Sequence, residues 1–377
     1  FFSSRRRHTR FLYVSGLGDV YKRQHILPEH LVAEYHLSFA ACNFSRNLMS
    51  GGGFDKVYSI MPLFVCGEMK TFKEPDNELV YSSLRRKGKV AAKLAIFVEQ
   101  VSVFLRIGWH DTLWLYNIGI LNVLLVLLLM LFKPKVRIYA IELDFTPPTR
   151  GFCVMSFYLY LLNHIDGVIK LADSPLFTNK NSVCLAGVTP NRRDKVPLIK
   201  KPTMEFLLSG VLQPDISSLP LILDAFAKVR DCRLHITGTC DSKQLREYAD
   251  KYPNIIYHGV LSFDAYLHLL HSVTFQLSLR NPNWSDNQCN FPSKIIEALL
   301  HNRIIISTIH YPQIEGIRYI ETVRSEDGFE KTLRQIKSMR EEELMKYANQ
   351  SELVQQKFNP NVWNNWMTRI ENRLEEK

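Results

Sequence analysis

Apolar and polar residues follow two different periods along this chain, and the two periods alternate. Short runs rich in β-branched and aromatic residues predict strands, and the stretches between them carry apolar residues at helical spacing. In the first half, the predicted strands span 55–61, 112–117, 136–145 and 167–172. The predicted helices of that half span 28–48, 85–107, 120–131 and 156–164.

The second half repeats the same alternation. Its predicted strands span 206–210, 233–238, 255–259, 274–279 and 304–307. Its predicted helices span 219–229, 242–251 and 263–270, with one that begins near Pro292 and a final one after Asn359. Strands and helices in this order are typical of doubly wound parallel sheets. A polar connection between the halves places a domain boundary near Asn191.

The most hydrophobic stretch, 113–132, has three interpretations. Its length of about 20 residues would suit a membrane-spanning helix, but Asn117, Gly119 and Asn122 interrupt it. We favour a strand that ends at Asn117, followed by a buried helix that crosses over to the next parallel strand. A helix that also dips into one face of a bilayer and a true span remain as alternatives.

Composition and the N-terminus modify the picture. The 377 residues suffice for two domains, and 46% hydrophobic with 22% charged residues is typical of a globular protein. Of the net charge of +10, residues 1–24 contribute +5, six basic residues against one acidic residue. They begin without Met and resemble translated sequencing-adapter strings, so we exclude them from the fold and expect the first native strand to be missing or replaced. A basic arm for nucleic acid is an alternative interpretation of residues 1–24. A secretory signal is excluded, because the apolar core 11–14 is too short for one.

The cysteines exclude two kinds of site. All seven are scattered without a CxxC pair. This spacing argues against a disulfide framework and a zinc site, and it favours a reducing cytosol.

Chemistry is concentrated in the stretch 290–308, which predicts a loop, a helix, a turn and a strand. Pro292 suits a first helical turn, and Asn302 suits a left-handed turn. Lys294 and Glu297 fall close to the mouth of the helix, where backbone N–H groups and the helix dipole favour a phosphate. Lys294 adds a full charge, and Glu297 can accept hydrogen bonds from a ribose diol. The alternative is a solvated face with a weak ion pair.

This stretch resembles the nucleotide-sugar-binding loop and helix of retaining GT-B glycosyltransferases of family four, of the bacterial surface-polysaccharide type. The residues that match the family pattern are Phe291, Pro292, Ser293, Lys294, Glu297 and Ala298. The resemblance covers 206–308 well and the first half poorly. It implies an α/β chain with two Rossmann-like doubly wound parallel-sheet domains that face each other across a cleft.

The resemblance and the strand ends together define a donor-binding site. Open parallel sheets bind ligands at the carboxyl ends of their strands. Lys294 is the expected main contact of the diphosphate, with Arg280 as a weaker candidate or a solvated loop cation. The predicted donor-binding residues are Ser209, Gly210, Gly238, Gly259, Arg280, Asn290, Phe291, Pro292, Ser293, Lys294 and Glu297. No DxD-like pair stands out, so we expect neither metal nor cofactor, and no catalytic residue is assigned.

Two positions depart from the family pattern. Cys289 stands where the family often has a Glu seven residues before the position of Glu297, and the loop 211–220 has neither the Arg nor the Lys-Gly pair that is often found there. These departures motivate a second hypothesis, a non-catalytic scaffold that binds nucleotide sugars. A third hypothesis is a protein anchored in the membrane by 113–132.

The leading hypothesis is a glycosyltransferase of hexosyltransferase type. It would move a sugar from a nucleotide diphosphate sugar to a polysaccharide or lipid-linked acceptor, with retention and without metal. We expect an acceptor domain at 25–190, a nucleotide-sugar domain at 191–345 and helices at 346–377 that pack back on the first domain. The expected partners are the nucleotide sugar, the glycan or lipid-linked acceptor and a membrane surface, without nucleic acid. The expected location is the cytoplasm, at the inner face of the membrane.

Overall fold

The computed structural model describes residues 10–14, 39–61, 77–143, 145–148, 153–191, 196–212, 217–240 and 242–373. The chain divides into two compact units. One comprises Phe1–Asn191 with Asn359–Lys377, and the other comprises Arg192–Phe358. Each unit is built on its own parallel sheet.

The sheet of the first unit has seven strands in the order β3-β2-β1-β4-β5-β6-β7. Every neighbouring pair is parallel. Buried parallel strands favour continuous apolar runs, and β4 is buried at four of its five positions. The strands are β1 Arg10–Val14, β2 Lys56–Ile60, β3 Asn77–Val80, β4 Thr112–Tyr116, β5 Arg137–Glu142, β6 Gly167–Lys170 and β7 Ser182–Cys184.

Four helices lie between these strands in the described part of the chain. They are α1 Phe39–Met49, α2 Lys89–Arg106, α3 Val123–Phe132 and α4 Val154–His164. A short 3-10 helix, Ser83–Lys87, precedes α2. The predicted helix 28–48 is confirmed for its second half, and residues 28–38 lie outside the described part.

Strand β1 corrects the exclusion of residues 1–24 from the fold. Arg10–Val14 lies between β2 and β4, with Leu12 opposite both Val57 and Trp114. Strand pairing uses backbone groups, so the run Arg10–Val14, which has strand propensity, can pair between β2 and β4 although basic residues surround it in the sequence. The rest of 1–24 lies outside the described residues, and the adapter resemblance stays a prediction.

The hydrophobic stretch 113–132 forms a strand and a helix, as we favoured, but the expected burial of the helix holds for one side only, with Leu125, Val126 and Leu129 buried. Strand β4 ends at Tyr116, Asn117 turns the chain with φ of 52°, and α3 begins at Val123. The Asn117 Oδ1 atom accepts a hydrogen bond of 2.7 Å from the N–H of Leu143, which ties the turn to the end of β5. No helix in the described part of the chain is long and apolar enough to cross a membrane.

The sheet of the second unit has six parallel strands in the order β10-β9-β8-β11-β12-β13. The strand order reverses its direction between β8 and β11, so this is the switch point of the sheet. The strands are β8 Glu205–Val211, β9 Arg233–Thr239, β10 Ile255–Tyr257, β11 Phe275–Ser278, β12 Ile304–Ser307 and β13 Ile320–Glu321. Five of the six were predicted from sequence, and the two-residue β13 was not.

Eight helices belong to the described part of the second unit. They are α5 Leu219–Lys228, α6 Lys243–Lys251, α7 Phe263–Ser272, α8 Ser285–Cys289, α9 Ser293–Leu300, α10 Glu326–Ser338, α11 Glu341–Met345 and α12 Ser351–Phe358. Phe206 of β8 lies at the centre of the core, stacked on Phe275 and edge-on to Phe226.

The C-terminal residues are shared between the units. The α12 helix lies in the second unit, where it packs against α9, so the assignment of all of 346–377 to the first domain needs correction for 346–358. The last helix, α13 Pro360–Asn372, lies in the first unit. Its Trp363 is fully buried and donates a hydrogen bond of 2.7 Å to the carbonyl of Gly187.

Candidate functional site

Helix α9 presents a charged pair at its N-terminal end. Ile295, Ile296, Ala298 and Leu299 are buried, so the spacing of apolar residues leaves Lys294 and Glu297 on the opposite side. The two side chains are 38% and 30% exposed, and Lys294 Nζ lies 3.7 Å from Glu297 Oε2. The pair is thus open to a ligand.

The end of strand β8 lies next to this pair. Gly210 has φ of +124°, and a Cβ atom at this position would lie 3.4 Å from Lys294 Cε. The lysine side chain therefore extends over the backbone of Gly210. The structure brings together two of the residues that the sequence assigned to the diphosphate.

The other two predicted glycines extend this backbone surface. The N–H of Gly238 donates a hydrogen bond of 2.9 Å to the carbonyl of Gly259. A Cβ atom at Gly238 would lie 1.8 Å from the carbonyl oxygen of Gly210. Both have positive φ, +128° at Gly238 and +68° at Gly259. At Gly238, only glycine allows the backbones of β8 and β9 to approach this closely with a positive φ, whereas Gly259 has open space around it.

Tyr266 of α7 joins the charged pair and was missed from sequence. Its hydroxyl donates a hydrogen bond of 2.7 Å to Glu297 Oε2, and Lys294 Nζ lies 4.6 Å from the centre of its ring. Burial, and then the negative charge of Glu297, raise the pKa of Tyr266, so the hydroxyl keeps its proton. One tyrosine thus contacts both residues of the pair.

Ser209 connects the cluster to the switch point of the sheet. The Ser209 side chain interacts with the Tyr266 hydroxyl and opposes the rise of the tyrosine pKa. It also accepts a hydrogen bond of 3.3 Å from Nε2 of Gln276 on β11. The cluster is therefore built from β8, β11, α7 and α9, around the carboxyl end of β8.

Arg280 is fixed within its own loop. Its Nη1 atom donates to Asn287 Oδ1 over 3.3 Å, and its carbonyl accepts a hydrogen bond from Thr308. Arg280 also lies near enough to Tyr311 to oppose the rise of the Tyr311 pKa, which burial causes. Its surroundings are thus Asn287, Thr308 and Tyr311.

The other predicted residues at the start of α9 divide by burial. Asn290 and Phe291 are 4% exposed, and the Phe291 ring packs edge-on against Tyr311 with 5.0 Å between ring centres. Pro292 provides no side-chain cap for α9, and Ser293 is exposed. Phe291 therefore anchors the loop, while Ser293 faces the solvent beside the pair.

Cys289 occupies a closed position. It is the last residue of α8 and is 3% exposed. A thiol there supplies no fixed negative charge, so the carboxylate that the family pattern often has at this point has no equivalent at residue 289.

The arrangement suits an anionic ligand that carries a diol. The Lys294 ammonium and the dipole of α9 supply positive charge beside the half-buried backbone of Gly210. Among the described residues, the contacts of Glu297 with Tyr266 and Lys294 both use Oε2. Its other oxygen can accept hydrogen bonds from ligand hydroxyls.

Comparisons with known proteins identify the fold. No family model and no curated protein matches the chain. The chain is similar to TarM from S. aureus in complex with UDP, with 12% identity and a TM-score of 0.53 over 73% of this chain. It spans 59% of the length of TarM.

Two further solved structures match almost the whole chain. HepE from Anabaena, in complex with UDP-glucose, is 10% identical with a TM-score of 0.59 over 98% of this chain and all of HepE. Trehalose-6-phosphate synthase OtsA is 10% identical with a TM-score of 0.64, over 96% of this chain and 99% of OtsA. These neighbours are GT-B glycosyltransferases with two Rossmann-like domains. The chain therefore has the GT-B fold that the sequence predicted.

Proposed function

We propose that this protein is a glycosyltransferase that takes a sugar from a nucleoside diphosphate sugar. The observation that carries the proposal is the cluster of Lys294, Glu297 and Tyr266 beside the backbone of Gly210, at the switch point of a parallel sheet. Such switch points are where open α/β sheets bind nucleotides. The similarity to structures that contain UDP and UDP-glucose supports the same class of donor.

Each part of the donor has a matching group in the cluster. The diphosphate lies against the Gly210 backbone and the Lys294 ammonium, with the N-terminus of α9 adding its dipole. The ribose hydroxyls donate to Glu297, whose carboxylate is held by Tyr266. The absence of a Cβ atom at Gly210 leaves space beside the Lys294 side chain, and Gly238 allows β9 to lie close against the backbone of Gly210.

Transfer breaks the bond between the sugar C1 atom and the diphosphate oxygen. Charge then develops on the leaving diphosphate while the sugar becomes oxocarbenium-like. Lys294 and the α9 dipole stabilise that charge without a metal ion in our proposal. The acceptor hydroxyl forms the new bond to C1, and its proton passes to the departing nucleoside diphosphate. From the family resemblance we propose retention of configuration and a hexosyl donor.

The acceptor and the location belong to the same proposal. We propose a polysaccharide or lipid-linked glycan as the acceptor, with the protein in the cytoplasm at the inner face of the membrane. The family resemblance supports the acceptor, and the seven cysteines without a CxxC pair support a reducing cytosol.

The test compares donor binding and turnover in two pairs of variants. Lys294→Met and Glu297→Gln alter the cluster. Lys243→Met and Glu247→Gln are matched controls, because Lys243 and Glu247 form an ion pair of 3.4 Å on α6 with side chains 92% and 60% exposed. A panel of uridine and guanosine diphosphate sugars is titrated by calorimetry, and release of the nucleoside diphosphate is followed with glycan and lipid extracts.

The expected result is donor binding and turnover in the parent protein and in the controls, with both lost or strongly weakened in the cluster variants. No binding of any donor by the parent protein would contradict the proposal. Equal losses in the control variants would show that the cluster is not the site.

A non-catalytic scaffold is the second candidate, and Cys289 favours it. Cys289, which is 3% exposed and carries no carboxylate, stands at a position where the family often has Glu. A scaffold would bind the donor through the same cluster but release no nucleoside diphosphate with any acceptor or with water. Binding without turnover across the panel would therefore replace the transferase proposal by this one.

A further inference from the structure

Helix α2 of the first unit exposes an apolar face. Its buried residues include Ala92, Ile96 and Val103, so the outward side would be expected to carry polar residues. Instead, Val90 is 77% exposed, and Leu105 is 72% exposed. Exposed apolar residues that share one face are informative, because single ones are common on any protein.

The end of helix α3 continues this face. Leu131 is 72% exposed and Phe132 is 59% exposed. The Phe132 ring lies 6.5 Å from the ring of Phe104 on α2, and Lys133 donates a hydrogen bond of 2.6 Å to the carbonyl of Phe104. These contacts hold the end of α3 against the last turns of α2, so the two helices form one surface.

We call this surface the α2–α3 face. Its members are large apolar side chains that are at least 38% exposed. They are Val90, Leu94, Phe97, Val98, Val101, Leu105 and Trp109 along α2 and just after it, and Met130, Leu131 and Phe132 at the end of α3.

The exposed charges on the first turns of α2 and on the 3-10 helix before it are positive. Lys87, Lys89 and Lys93 are exposed there. The single acidic residue of α2, Glu99, is 1% exposed and pairs with Arg85 at 2.7 Å. An apolar surface with exposed cations at one end is complementary to a surface that is apolar inside and negatively charged outside.

The size of the face argues against a second copy of this chain. The 18 residues of α2 span about 27 Å at 1.5 Å per residue. A helix face about 10 Å wide gives roughly 300 Å², and the last three residues of α3 add roughly 50 Å² by the same estimate. A stable protein interface needs about 800 Å² from each partner. A symmetric contact between two copies would also bring the lysine clusters of equivalent faces together or leave them without anionic partners.

We infer that the α2–α3 face binds the surface of an anionic lipid bilayer. The helix α2 lies in the plane of the interface, its apolar side chains enter the boundary between headgroups and acyl chains, and its lysines contact lipid phosphates. Trp109 suits the headgroup level, where aromatic side chains concentrate. This inference names a surface of the first unit and does not depend on sugar transfer.

The experiment measures sedimentation of the full chain with vesicles. Vesicles of phosphatidylcholine alone are compared with vesicles that also contain phosphatidylglycerol, at low and high salt. The test variant combines Leu94→Gln, Leu105→Gln and Leu131→Gln. The control variant combines Leu198→Gln, Val260→Gln and Val323→Gln, which alter side chains of the second unit with similar exposure of 62%, 73% and 69%.

A charge variant tests the lysines separately. Lys89→Gln with Lys93→Gln is expected to weaken binding to the anionic vesicles and to reduce its salt dependence, because screening acts on exposed charges. Circular dichroism spectra and unfolding midpoints of all variants are compared with those of the parent chain. Because every substituted side chain is exposed, these values are expected to stay unchanged.

The expected result is binding to the anionic vesicles that falls about tenfold or more in the triple leucine variant and stays unchanged in the control variant. No sedimentation of the parent chain with anionic vesicles would overturn the inference. Equal losses in the control variant would overturn it as well. If the parent chain forms a dimer that dissociates in the triple leucine variant, the α2–α3 face binds a second copy of the chain and not a bilayer.

Discussion

Replacing Tyr266 by Phe isolates one hydrogen bond of the candidate donor site. The substitution removes the hydroxyl that donates to Glu297 Oε2 over 2.7 Å. It leaves the ring on which Lys294 rests, with 4.6 Å between Nζ and the ring centre. The perturbation therefore acts on the orientation of the carboxylate and not on the packing of the lysine.

The expected magnitude follows from the type of bond. A hydrogen bond to a charged acceptor contributes about 1.5–3 kcal/mol, but Glu297 is 30% exposed, and water can replace part of the lost partner. We therefore expect donor binding to weaken by about 1–2 kcal/mol, a factor of roughly 5 to 30 in Kd. The effect on UDP should equal the effect on a UDP-sugar, because Glu297 is proposed to bind the ribose that both contain.

The assay is calorimetric titration of UDP and UDP-sugars, with Tyr248→Phe as the matched control. Tyr248 of α6 also donates its hydroxyl to a carboxylate, that of Asp224 on α5, away from the cluster. The control should lose stability to a similar extent and keep its donor affinity. Unchanged donor affinity in Tyr266→Phe, while Glu297→Gln abolishes binding, would refute the reasoning that Tyr266 orients Glu297.

Three further predictions concern the glycines, a histidine pair and a buried ion pair. Gly238→Ala should abolish UDP binding and lower the free energy of unfolding by about 3 kcal/mol or more, because its Cβ would lie 1.8 Å from the Gly210 carbonyl. Gly259→Ala, with φ of +68° and open space around it, should lower the free energy of unfolding by only about 1 kcal/mol, measured by thermal unfolding. Burial, and then the neighbouring His271, lower the pKa of His301 from 6.5. The contribution of neutral His301 to the free energy of unfolding is therefore complete above pH 6.5 and declines at lower pH. His301→Asn should flatten this decline in urea unfolding measured across pH. Arg85→Met should cost about 3–5 kcal/mol in chemical denaturation, since it leaves the fully buried partner carboxylate without its cation.

The sequence predicted those elements whose pattern is local. Strand β12 was predicted with the same bounds that it has in the structure, because four consecutive residues of β-branched or small type follow the left-handed turn at Asn302. Strands β3, β7 and β13 were missed, since they have only four, three and two residues. Their sequences, NELV, SVC and IE, carry no alternation that distinguishes them from loops. Their pairing depends on neighbours that are distant in sequence.

The candidate site was predictable in part for the same reason. Lys294 and Glu297 were found because a helix start, a loop and a charge pattern occur within a few residues. Tyr266 lies within the segment FDAYLHLL, where it looks like one more core residue at helical spacing. Its role depends on the contact between α7 and α9, and a single sequence contains no signal for a contact of that kind.

The order of the units along the chain has a consequence for synthesis on the ribosome. The second unit ends at Phe358, so all of its strands are synthesised before the last helix is made. Unit one still lacks α13 at that time, and with it the indole of Trp363 and the carboxylate of Glu371, which accepts a hydrogen bond of 2.7 Å from Trp114. The first unit, most of which is synthesised first, therefore cannot complete its core until after the second unit has been synthesised, and until then the surface that α13 later covers is exposed to chaperones and proteases.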